Sequence, residues 1–169
     1  MKVTSIINSE ESERNNMRLQ IENIIKSCEI DRTRFYEYSK MGYSKVITRF
    51  LYTFTDFKKD VKNDTICLDY CFLRFRKKWE KLVISGYWAD MICKTREYVI
   101  EKTDGKVFLI LSQGWVYEGF IDEIMKVLGE TDNNLNDFYI VSPKYEWLAA
   151  YCDDGDAMVI YEKRQVLHG

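Results

Sequence analysis

A chain of 169 residues with 46% hydrophobic and 15% aromatic side chains has enough apolar material for one core of ordinary domain size. Its 25 basic and 27 acidic side chains leave a net charge of -2, so no global field recruits nucleic acid or anionic lipid and only a local patch could. The opening MKVTSIINSEESERNN lacks an apolar run of signal-peptide length, and no later stretch approaches the roughly 20 apolar residues of a membrane span, so a cytoplasmic protein with no membrane partner is expected.

The first element is a helix over about residues 9 to 29, because Met17, Ile21, Ile24, Ile25 and Cys28 form one apolar stripe on a polar segment. Asn8 or Ser9 can cap it, and Glu10, Glu11 and Glu13 suit the positive end of its dipole. A Tyr-rich connection follows, with a break and new cap at Gly42 and Ser44. A second helix then fits Val46, Ile47, Phe50, Leu51, Phe54 and Phe57. Leu68, Phe72, Phe75, Trp79 and Leu82 repeat at helical spacing and predict a third helix over 68–83, closed near Gly86. Ala89, Ile92, Cys93, Val99 and Ile100 suggest a fourth helix closed by Gly105. The same segment could instead be a hairpin turning at Asp104-Gly105.

From residue 106 the pattern changes. VFLIL is a continuous apolar run of strand length, as in a central strand buried on both faces. Phe120, Ile121, Ile124, Val127 and Leu128 form a short amphipathic helix ending at Gly129, and FYIVS is the next strand. LAAYC and AMVIY flank Asp153-Asp154-Gly155-Asp156, a tight-turn composition that makes a hairpin. The expected fold is one α+β domain: N-terminal helices (1–105) packed on a small mixed sheet of about four strands (106–169), with one crossover helix able to join parallel strands.

The five cysteines, Cys28, Cys67, Cys71, Cys93 and Cys152, are odd in number and irregularly spaced, which suits reduced thiols. Structural zinc usually takes four ligands and the only histidine is His168, next to the end, so no metal or cofactor is expected. The same shortage removes Ser-His-Asp and Cys-His catalysis, and the glycines at 105, 114, 119 and 129 do not make a phosphate-cradling loop.

Three groups of residues remain as candidate sites. The basic face of the third helix, Arg74, Lys77, Lys78 and Lys81, interleaved with aromatics, is material for RNA or DNA binding, although its aromatics also read as the buried stripe of a core helix. Glu118 with Asp122, or the turn Asp153, Asp154 and Asp156, could serve carboxylate hydrolysis; both also read as an ordinary solvated face and a hairpin turn. The third group follows the ends of expected strands: Trp115, Tyr117 and Glu118, then Lys144, Tyr145 and Trp147. With the aspartates of the turn they would form one aromatic and acidic rim suited to binding a protein, unless the tryptophans instead close the core.

At these residues the chain resembles a family of small bacterial proteins of unknown function marked by W-x-YEG and YIVS-x-KY-x-W, here Trp115, Tyr117, Glu118, Gly119, then Tyr139 to Ser142, Lys144, Tyr145 and Trp147. Helices followed by a sheet are also similar, at fold level, to immunity proteins of the Smi1/Knr4 type. The resemblance implies no established activity. The expected function is a non-catalytic module that binds another protein, with toxin neutralisation as one form of it; the alternatives are a nucleic-acid-binding module and a small hydrolase.

Overall fold

The computed structural model describes residues 17–56, 68, 75, 78–131, 135–152 and 157–163. Residues 17–27 form helix α1, and its stripe of Met17, Ile21, Ile24 and Ile25 is buried as the spacing requires. Its expected start lies outside the described residues. Glu29, at φ 49°, turns the chain at the end of α1, and the short strand β1 (Phe35–Glu37) follows.

Helix α2 (Lys40–Phe54) begins ahead of the expected break at Gly42 and buries Val46, Ile47, Phe50, Leu51 and Phe54. Gly42 acts as a close-approach residue within the first turn: a Cβ there would run into the ring of Tyr38. Each fully buried ring or branched side chain on this face contributes about 1.5–3 kcal/mol. Phe57 and Phe72 lie outside the described residues.

The expected third helix is overturned where it can be seen. Trp79–Ser85 is strand β2, paired along its whole length with the last strand from Trp79 opposite Lys163 to Ser85 opposite Ala157. Trp79 turns to the α2 side of the sheet and Ile84 to the other, as strand alternation requires of residues an odd number apart. Leu82, which completed the helical stripe, is 40% exposed. Of the expected basic helical face, Arg74 and Lys77 lie outside the described residues, while Lys78 sits in a turn and Lys81 on β2 rather than on a helix.

Residues Trp88–Ile100 form helix α3, so the hairpin alternative is not taken. The rest alternates as β3 (Val107–Leu111), β4 (Val116–Gly119), α4 (Ile121–Glu130), β5 (Phe138–Val141), β6 (Trp147–Cys152) and β7 (Ala157–Lys163). The hairpin of β6 and β7 is formed, with Cys152 opposite Ala157.

All the described strands join one sheet of seven in the order β1-β4-β3-β5-β6-β7-β2, and every neighbouring pair is antiparallel. The expected small mixed sheet is thus too small and wrongly mixed. VYEG, read as part of a rim, is itself strand β4; β4 and β5 flank β3, and α4 carries the chain over β3 between them. Strands β1 and β2 come from the half expected to be helical, so the sheet takes strands from both halves.

The sheet is covered on both faces. α1, α3 and α4 pack with Val107, Leu109 and Leu111 on one side, and α2, Leu68 and Phe75 pack with Phe108 and Ile110 on the other. VFLIL is continuously apolar because both of its faces are interior.

Candidate functional site

The W-x-YEG residues fasten β1 and α1 to the sheet. Tyr117 is fully buried and stacks on Phe35 with centroids 5.2 Å apart, and its hydroxyl donates to Glu22 at 3.4 Å. Burial pushes that hydroxyl upward in pKa, with the Glu22 and Glu37 carboxylates adding to the shift. Glu118 accepts a short hydrogen bond from Tyr36 directly across the strand pair, and this contact, with burial, pushes the Tyr36 hydroxyl up to about 12. Gly119 gives β1 room, because a Cβ would stand 2.6 Å from the Phe35 ring and 2.9 Å from the Arg34 carbonyl.

Trp115 is half-buried beneath two cations, Arg18 at 4.9 Å and Lys40 at 5.6 Å from its ring centroid. Arg18 also donates to Glu37 at 2.7 Å, and Tyr43 donates to the other carboxylate oxygen at 2.6 Å. Burial disfavours the Glu37 anion, but the Tyr43 and Arg18 hydrogen bonds outweigh it and hold the carboxyl below its ordinary range. These ionisable groups satisfy one another. Sequence spacing gave no hint of this network, because its members come from α1, β1, α2 and β4.

The KYEW residues lie at the other end of the sheet. Trp115 sits beside the Leu111 end of β3, whereas Val141 and Leu148, which bound the KYEW loop, sit level with Phe108. The anticipated rim is therefore split. Tyr145 and Trp147 are buried and only Lys144 is exposed among the three. Tyr145 pins α2 by donating to the Val46 carbonyl at 3.3 Å, and the Ser142 hydroxyl accepts the Glu146 and Trp147 amides at 2.8 and 3.3 Å. Asp153, Asp154 and Asp156 lie outside the described residues. Near Trp147 is a shallow hollow of about 310 Å³ that also touches Lys102, Glu146, Glu162 and Lys163, with Lys102 and Glu162 already paired at 2.7 Å. Asp122 pairs with Arg96 at 2.7 Å, on α4 and away from the strand that carries Glu118. Among the described residues no three His, Cys, Asp or Glu side chains gather to hold a metal.

The two edges of the sheet differ. β1 is three residues long and tied down by the charges just described, a usual way of blunting an edge. β2 is seven residues long, pairs only with β7 among the described residues, and exposes four consecutive side chains, Glu80, Lys81, Leu82 and Val83. Val83 is 61% exposed, and Tyr87, just beyond the strand, is 85% exposed. An edge of this kind presents unpaired backbone groups beside apolar side chains and can receive another strand. The β-branched and apolar run Leu82-Val83-Ile84 before Gly86 was the sequence signal for it, hidden by the helical spacing of Trp79 and Leu82.

Fold and edge together define an α+β protein whose described residues form a seven-stranded antiparallel sheet covered on both faces and, among those residues, open along β2. The chain belongs to a family of unknown function (DUF6756), whose model matches residues 13–168. No curated protein and no solved structure gives a significant match. Among the described residues no helix is long and apolar enough to cross a membrane.

Proposed function

We propose that the protein is a non-catalytic module that captures another protein by taking an extended segment of it along β2. The open seven-residue edge with Leu82 and Val83 exposed carries this reading. Backbone hydrogen bonds would supply affinity, and alternate side chains on the two faces would supply selectivity.

The test is capture of partners from a lysate of the source organism by the wild-type protein and by Val83→Lys, identified by mass spectrometry. Val83 is exposed, so the substitution leaves the fold intact, which circular dichroism checks. Loss of the captured protein with Val83→Lys, together with slowed amide exchange at residues 80–83 on binding, is the expected result. Undiminished capture by Val83→Lys removes the edge from the function. A finer form of this reading is an immunity protein that silences a toxin. It requires that the captured protein be a toxin whose activity disappears at one equivalent.

A further inference from the structure

The four exposed residues of β2 make a short chemical pattern. Glu80 lies opposite Glu162 on β7, whose partner is Lys102 at 2.7 Å, so the nearby cation is already taken and none pairs with Glu80 among the described residues. Lys81 lies opposite Tyr161, with its ammonium 5.4 Å from the ring centroid, and no described carboxylate pairs with it. Leu82 and Val83 follow at 40% and 61% exposure. A strand added beside β2 sets its side chains about 4.5–5.5 Å from these. Such a strand completes the pattern with a cation opposite Glu80, an anion opposite Lys81 and apolar groups opposite Leu82 and Val83.

A second copy of this chain does not complete it. In an antiparallel pair, directly opposite residues turn their N–H and C=O groups the same way, so a two-fold axis between two β2 strands must pass through a residue and not between residues. Centred on Lys81 it sets Lys81 against itself, and centred on Glu80 it does the same to Glu80. Centred on Leu82 it places Lys81 against Val83 and Glu80 against Ile84. In no such register do Glu80 and Lys81 meet.

Resting on the strand-capture reading, we infer that the occupant of the β2 edge is a segment of a different protein in which two apolar residues are followed by an acidic and then a basic one. The order assumes antiparallel addition, the mode of every other pairing in this sheet.

Two fluorescein-labelled synthetic dodecapeptides with uncharged Thr/Ser flanks test it, one with the core Val-Val-Glu-Lys and one with Val-Val-Lys-Glu. Fluorescence anisotropy with the full chain should show the first binding about fivefold to tenfold more tightly, since the swap turns two favourable cross-strand pairs into two unfavourable ones. The double variant Glu80→Lys/Lys81→Glu should reverse the preference. Equal affinity for both peptides, abolished in each case by Val83→Lys, overturns the charge pattern and leaves strand capture standing. Binding of neither peptide overturns both. A dimer of the chain alone that Val83→Lys dissolves, seen by sedimentation equilibrium, overturns the assignment to a different protein.

Discussion

Tyr145 holds a left-handed backbone, φ 57°, while its hydroxyl donates to the carbonyl of Val46 at 3.3 Å. A left-handed conformation at a non-glycine residue costs on the order of 1 kcal/mol. Here the ring is 4% exposed, packs at 6.4 Å on Phe108 and carries the Arg49 guanidinium 4.6 Å from its centroid. The loop accepts the backbone strain because it sets that ring under α2.

Tyr145→Phe should therefore cost about 0.5–1.5 kcal/mol, the worth of the lost hydrogen bond. Tyr145→Ala should cost about 3 kcal/mol or more, because it also empties the site. Tyr145→Gly recovers only the backbone term. Urea midpoints rank the three; a Tyr145→Ala protein as stable as the wild type would remove the pinning role.

The two tryptophans beside the family motifs should separate. Trp147→Ala opens the core at a residue that is 5% exposed and should cost about 3–5 kcal/mol. Trp115→Ala, at a half-buried ring under two cations, should cost about 1 kcal/mol. Thermal denaturation of the pair checks this order.

Gly119→Ala should unfold β1 from β4, since the added methyl meets Phe35 at 2.6 Å and backbone at 2.9 Å. A loss of about 1–3 kcal/mol is expected from overpacking. Gly129→Ala, within α4 and facing open space, should do the reverse and stabilise by up to about 1 kcal/mol. Opposite shifts in melting temperature confirm both.

Glu37 sets a pH dependence. Its carboxyl lies below its ordinary range in the folded chain, against the push of burial, through the Tyr43 and Arg18 hydrogen bonds. A group lowered on folding adds stability above its unfolded value, about 4.3, and loses that contribution as pH falls through the folded value. Glu37→Gln should lower stability at neutral pH by about 1–2 kcal/mol and flatten the acid limb of the stability curve. Denaturant titrations at neutral pH and near pH 3 give the two limbs; parallel limbs would show that the carboxylate carries no such linkage.

How far the fold could be read from sequence followed burial. α2 and α4 were legible because each buries one face, and β3 because both its faces are interior. β2 was not, since residues 80–83 are exposed on both faces and the period-2 signal vanishes, leaving Trp79 and Leu82 to mimic a helical stripe. β1 and β4 are three and four residues long, too short for any period. Strand direction was illegible as well, because an apolar run looks the same to a parallel and an antiparallel neighbour. The motif residues were noticeable in the sequence but their packing was not: Tyr117, Tyr145 and Trp147 are buried and hold elements together.

β1 and β2 are successive described strands yet occupy opposite rims of the sheet, and among the described residues β2 finds its register only against β7. A nascent polypeptide thus releases both rims early, and β1 waits for β4 while β2 waits for β7, the last of the described strands. Contacts between such distant parts of a chain form slowly, so the middle strands should assemble as a platform before either rim closes. In the interval Leu82 and Val83 are as open to strangers as they are in the finished molecule, which gives the cell a reason to keep charged Glu80 and Lys81 beside them.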